Sequence, residues 1–127
     1  MKKLLIILGG LVLVVVIIAV VFYQITQDGL NKLADITLND LNLDQVADGT
    51  YNGSYSVFPV SVEVTVTVSD HVITEIDITK HDNGQGQAGE AIIEDVLEAQ
   101  SLEVDVISGA TYSSKVILLA IQDALAP

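Results

Sequence analysis

From Leu4 to Tyr23 the chain carries no charged residue and is built mainly of Leu, Val and Ile. An apolar run of about 20 residues is what a helix needs to cross a hydrocarbon core. A chain of 127 residues has no large interior in which to bury such a helix instead. The roughly 100 residues that follow must therefore build whatever soluble fold there is, enough for one small domain.

Lys2 and Lys3 precede the run and all seventeen acidic residues follow it. Basic residues collect on the cytoplasmic side of a span, so the amino terminus is expected in the cytoplasm and the domain outside. A cleaved signal peptide is the competing reading. Its apolar region is about 7 to 15 residues long and ends at a small-x-small site, and no good one stands before Gln24. The absence of cysteine also removes a lipid-modified amino-terminal cysteine. These features favour an uncleaved single-span anchor over residues 1–23, its helix at about 4–23, in the cell membrane.

Beyond Tyr23 there are three lysines, no arginine and seventeen acids, a formal charge of −14. Such a field repels nucleic acid and anionic membrane surfaces, so neither is expected as a binding partner, whereas a basic redox partner would be attracted. Without cysteine there are no disulfides, thiolate metal sites or cysteine nucleophile.

Residues 24–47 are polar with spaced leucines at 30, 33, 38, 41 and 43, a short helix or stalk by their unsettled period. Asp48 to Tyr55 resembles a turn feeding a strand, with Tyr51 and Tyr55 on one face. Val60 to Val68 has valine at every even position and a polar residue at every odd one, the period of a half-buried antiparallel strand. Ser69-Asp70-His71 turns the chain, leaving His71 solvated, and Val72 to Thr79 returns with Ile76 and Ile78 inward. Lys80 to Gly89, with three glycines, is a loop suited to ligand contacts. Glu90 to Gln100 sets Ile92, Ile93, Val96 and Leu97 on one helical stripe, with Glu90, Glu94, Asp95 and Glu98 on the wet side. Ser101 to Ile107 alternates like a strand, and Lys115 to Leu125 is a closing helix so apolar that it must lie between the sheet and another element. The fold class is α+β: a single-span amino-terminal helix, then a small antiparallel sheet packed with two helices.

Between that last strand and helix stands Ser108-Gly109-Ala110-Thr111-Tyr112-Ser113-Ser114. Glycine and alanine clear the turn of bulk, four hydroxyls surround it, and an amphipathic run begins near Ser113. The first amides of a helix, its positive dipole end and nearby hydroxyls suit a phosphate. The same residues also make an ordinary capped turn, since Ser and Thr are preferred N-caps.

Asp105-x-x-Ser108-Gly109-Ala110-Thr111, followed by Tyr112-Ser113-Ser114, resembles the flavinylation motif of the FMN-binding domain family. Its members include the C subunit of the sodium-translocating NADH:quinone reductase, the G subunit of Rnf complexes and small membrane-anchored bacterial proteins. Asp48-Gly49-Thr50-Tyr51-Asn52-Gly53 is similar to the opening of that domain, and the resemblance extends over residues 48–125. It implies a domain at 48–127 carrying FMN on Thr111 through a phosphoester. Ser108, Gly109, Ala110 and the amides near Ser113 and Ser114 would hold the phosphate. Asp105 would orient the turn or assist recognition, and Tyr112 would pack on the flavin or shield the helix start. His81 would be a flavin neighbour. Where relatives have a Glu-Thr-x-Gly-like stretch, this chain has Asp82-Asn83-Gly84-Gln85.

The resemblance also implies a maturation partner, a magnesium-dependent flavin transferase using FAD, with the magnesium belonging to that enzyme, and membrane or extracytoplasmic redox partners. The expected function is electron transfer by a membrane-anchored flavoprotein without its own catalytic residues or metal site. A non-covalent FMN-binding or sensing module, and a structural interaction domain without flavin, are the alternatives.

Overall fold

The computed structural model describes residues 1–82 and 87–126. One helix, α1 (Lys2–Asp35), continues the apolar run without a break through the first half of the expected stalk. Its 34 residues measure about 51 Å. Side chains are exposed as far as Ile25, and burial begins with Thr26 and Gln27, then Gly29 and Leu33. The end of the apolar run and the beginning of the domain thus share one rigid element. An irregular segment and a short 3-10 turn, Leu43–Gln45, lead from it into the sheet.

Strands β1 (Gly49–Val57), β2 (Val60–Ser69) and β3 (Val72–Asp82) form an antiparallel sheet in the order β1-β2-β3. The Phe58–Pro59 turn, whose peptide is cis, joins the first pair, and Asp70-His71, both at positive φ, join the second. The valines of β2 are buried as their alternation requires. His71 is exposed yet engaged, its Nδ1 lying 3.0 Å from the Leu43 carbonyl.

Strand β3 departs from strict alternation. Its register against β2 skips Thr74 and again Thr79, so each is an extra residue in a bulge. Each bulge threonine donates its hydroxyl to a β2 carbonyl, Thr74 to Thr67 and Thr79 to Glu63, both at 3.2 Å. Because every bulge shifts the facing parity by one, Ile73, Ile76, Ile78 and His81 all lie opposite inward valines of β2. Without the Thr79 bulge, the alternation of Ile76 and Ile78 would have put Lys80, not His81, on the core side.

After a 3-10 turn at Gln87–Ala91, helix α2 (Ile92–Ala99) buries Ile92 and Val96 as expected. Gln100 then takes positive φ, and its side-chain amide serves β3 as a substitute strand. Its Oε1 accepts from the Ile73 amide at 2.7 Å, while Nε2 donates to the carbonyls of Ile73 and Leu97. Residues 101–107 do not form the expected strand. Leu102 is buried and Glu103 and Asp105 are exposed, so the apolar alternation records one-sided burial without a strand ladder beside it.

Asp40 secures this segment from below. Its Oδ1 accepts from Ser101 Oγ at 2.7 Å and from the amides of Leu41 and Leu102. The Ser101 hydroxyl and then the Leu41 amide hold its carboxyl below the ordinary carboxylate range. A lowered folded pKa stabilises above the unfolded value, about 3.9, and the gain is lost as pH falls through the folded one.

Helix α3 (Thr111–Leu125) lies on β1 and β2, buried on nearly every side. Gly53 makes the contact possible, for a Cβ there would collide with the Ala120 carbonyl oxygen and with the backbone nitrogen and Cβ of Ala124.

Two outcomes test this packing. Gly53→Ala should destabilise by about 1–3 kcal/mol, read by thermal circular dichroism as a Tm fall of roughly 4–8 °C per kcal/mol; an unchanged Tm would refute the close approach. In denaturant titrations, wild type should exceed Asp40→Asn in stability at pH 7, with the difference shrinking as acid protonates the carboxyl through its lowered folded pKa. A pH-independent difference would show that the carboxylate charge is not what counts.

Candidate functional site

Ile107 to Ala110 form a tight turn in which the Ala110 amide donates to the Ile107 carbonyl at 2.9 Å. Gly109, in third position, has φ +80°, the left-handed conformation a type II turn needs there. A Cβ on it would meet nothing within 4 Å, so glycine is required for its backbone and the space beside it is open.

Helix α3 starts at Thr111, earlier than its apolar period implies, and the N-cap is Ala110 with no side-chain cap. The ordinary capped turn that the sequence allowed is therefore not what forms. The first ladder bond runs from the Ser114 amide to the Ala110 carbonyl at 2.9 Å, so the amides of Thr111, Tyr112 and Ser113 precede the ladder. They sit at the positive end of the helix dipole, where anions are stabilised.

The four hydroxyls divide by burial. Ser114 Oγ is fully buried, donates to the Ala110 carbonyl at 2.7 Å and accepts from the Ile107 amide at 3.1 Å, tying the turn to the helix. Ser113 Oγ lies 3.2 Å from His81 Nε2. Ser108 and Thr111 are exposed. Lys115, one helical turn after Thr111, is half-buried and lines a small cavity with Leu33, Ile36, Leu38 and Leu119. Its i+4 spacing from Thr111, legible in the sequence, puts both on one helix face.

The second bulge of β3 sends His81 under the first turn of α3, with its side chain 3 % exposed. His81 Nδ1 is 2.9 Å from Glu90 Oε1, so Glu90 is not simply on a wet face as its helical position implies. An ionised carboxylate only accepts, so the contact with Glu90 places a proton on Nδ1, and the Ser113 hydroxyl can accept from Nε2 or donate to it according to whether Nε2 also carries one. Gly89 brings the 3-10 turn close enough for this, since a Cβ there would stand 3.1 Å from Ser113 Cβ. Carboxylate, imidazole and hydroxyl are ordered as in a hydrolase triad. Ser113 is only 1 % exposed, however, so no substrate carbonyl can reach its oxygen. The three residues act as a brace for the helix start.

Tyr112 turns away from the open side. Its hydroxyl donates to the Phe58 carbonyl and fits against Gly29 of α1, where a Cβ would collide with it. Burial raises its pKa above the ordinary phenol value. Asp105 is exposed and shares a shallow depression with Asp95, Glu98 and Glu103. Residues 83–86, within the loop whose Asp82-Asn83-Gly84-Gln85 departs from the related pattern, lie outside the described residues. A groove of about 490 Å³ lies elsewhere, between residues 39–47 and the end of α3 near Gln122, about 16 Å along the helix from Thr111. That groove has neither the uncapped amides nor the exposed hydroxyls of the α3 start. Among the described residues no three potential metal ligands converge.

If the brace is as drawn, nitrogen-15 NMR of His81 in its neutral form should show the proton on Nδ1, and Glu90→Gln should shift population towards the Nε2 tautomer. An identical tautomer ratio in both proteins would contradict the Glu90 contact.

A profile of the FMN-binding domain family matches residues 58–126. The chain is also 42 % identical over 65 residues to the NADH:acrylate oxidoreductase of Vibrio harveyi, an alignment covering 49 % of this chain and 6 % of that much longer protein. The family match takes in more than half of the chain, from the Phe58–Pro59 turn through the whole Ile107–Ser114 segment to the end of α3, and the chain belongs to the FMN-binding domain family.

Proposed function

We propose that this chain carries FMN covalently, through a phosphoester to Thr111 Oγ1, and moves electrons at the outer face of the membrane as a tethered carrier rather than a stand-alone enzyme. One observation carries the reading: Thr111 is exposed at the first position of α3, beside an open Gly109 turn and in front of amides that no side chain caps. These groups fit a phosphate. Ser108, Gly109 and Ala110 form the approach to it, the amides through Ser113 face it, and Lys115 adds a positive charge one turn along the helix. Asp105 serves recognition by the maturation enzyme, and His81 supports the site through Ser113.

FMN supplies the redox chemistry; the protein contributes attachment, orientation and electrostatic surroundings. The helix start is held from within by Ser113 and Ser114 and from the side by Tyr112, so whatever Thr111 bears is fixed to a rigid support. Outside the cytoplasm a dissociated cofactor would be lost, and a covalent bond prevents that. The −14 charge beyond Tyr23 suits a basic electron-transfer partner. That a relative of this domain makes up a small part of a much larger oxidoreductase accords with a module that hands electrons on. Maturation requires a magnesium-dependent flavin transferase with FAD as donor.

The apolar length of α1, with Lys2 and Lys3 before it and the acids after it, supports a single span with a cytoplasmic amino terminus and an extracytoplasmic domain.

Protein co-expressed with a flavin transferase should fluoresce as a flavin band in a denaturing gel, Thr111→Ala should be dark, and Thr111→Ser should retain part of the signal. A yellow native protein whose wild-type band is dark would establish non-covalent binding instead. Colourless native protein would refute the carrier role.

A further inference from the structure

The contact between α1 and the domain fixes which end of the domain is nearest the anchor. Gly29 receives the Tyr112 hydroxyl, and the Phe58 carbonyl lies 3.2 Å from where its Cβ would be. Four residues farther from the anchor, Leu33 lines a cavity with Lys115 and Leu119 of α3. Along α1, away from the apolar run, the partners therefore proceed from Tyr112 to Leu119. The start of α3 and the β1–β2 turn face the anchor side, and the end of α3 is remote from it.

Distance along the helix sets the depth. Gly29 stands six residues beyond Tyr23, about 9 Å. A bilayer of about 40–45 Å around a core of about 30 Å leaves a headgroup layer of about 5–8 Å on each side, so Gly29 stands at its outer edge, within one side chain's reach of it. At the level of Gly29 the β1–β2 turn exposes the Phe58 side chain by 62 %, and Phe22 and Tyr23, at the end of the apolar run, are exposed as well. Aromatic residues concentrate in that layer. Among the described residues beyond α1, the other large exposed apolar side chain is Val72, at 46 %. It lies at the far end of β2, roughly 30 Å from Phe58 along the strand.

We propose that the Phe58 turn and the Tyr112 end of α3 rest on the headgroup layer of the membrane that α1 crosses, with Phe58 entering that layer. The surface is an interfacial lipid contact. It goes beyond flavin binding and rests only on the single-span reading of α1. The net negative charge does not oppose it, because the tether already supplies proximity and the contact itself is aromatic rather than ionic. In consequence, the exposed side of Thr111 opens at the membrane surface, and an electron partner reaching it must be embedded in the membrane or run along it.

The chain contains no tryptophan, so a single substitution creates a clean reporter. Full-length Phe58→Trp, Val72→Trp and Val12→Trp proteins, without flavin, would be placed in phosphatidylcholine nanodiscs containing lipids spin-labelled either near the headgroup or deep in the acyl chain. Circular dichroism would check that each variant folds. Val12→Trp should be quenched best by the deep label. Phe58→Trp should be quenched by the shallow label roughly twofold or more above Val72→Trp, as an aromatic residue in the interface would be. If Val12→Trp is quenched and Phe58→Trp matches Val72→Trp, the surface contact is overturned while the span stands. If Val12→Trp is not quenched, the span fails and the contact fails with it. Neither outcome depends on flavin, so attachment at Thr111 is tested separately.

Discussion

Close contact between α3 and the backbone of β1 is the constraint from which the rest of the domain follows. A helix whose Ser113 to Ile121 are largely buried has to be enclosed, and the sheet can approach only where Gly53 has no side chain. The remaining elements complete the enclosure. The end of α1 covers one side through Leu33 and Gly29, and the 3-10 turn at Gln87–Ala91 comes in at Gly89. Polar odd-numbered residues of β2 remain on the sheet's other face, which explains why alternation there is so regular.

A helix held along its length has a fixed first turn, and the site draws on that. Ser114 closes the Ile107–Ala110 turn onto the helix, and Ser113 joins it to His81 and Glu90. Two hydroxyls are used inward for support, and two, on Ser108 and Thr111, stay outside. A serine-rich stretch that looks uniform in sequence is therefore divided into a buried supporting part and an exposed part by the direction each residue faces.

Much of this was legible from periodicity. The valines of β2, the stripe of α2 and the enclosed character of α3 follow from burial patterns that repeat at 2 or 3.6 residues. What escaped was set by contacts distant in sequence. The bulges at Thr74 and Thr79 leave no clear local mark, yet the one at Thr79 reverses the facing of His81 relative to Ile76 and Ile78 and so decides its partners. The alternation of residues 101–107 has the period of a strand, because one-sided burial repeats every two residues whether or not a ladder exists. Likewise Gln24 to Asp35 reads as a polar stalk, but Gly29 and Leu33 dock onto α3, and that docking is invisible without its partner. The motif around Thr111 could be found by resemblance; that alanine holds the N-cap position there could be seen only in the fold.

The continuity of α1 has a mechanical consequence. No glycine-rich or proline-rich joint interrupts it between Tyr23 and Leu33, and Tyr112 grips it at Gly29. A span that meets a thinner bilayer leans to keep its apolar length covered. If α1 spans the membrane as proposed, an unbroken helix would pass that lean to the domain, and bilayer thickness would become an angular setting for the start of α3. Lipid composition would then steer which way the domain presents itself, with no ligand acting as the signal.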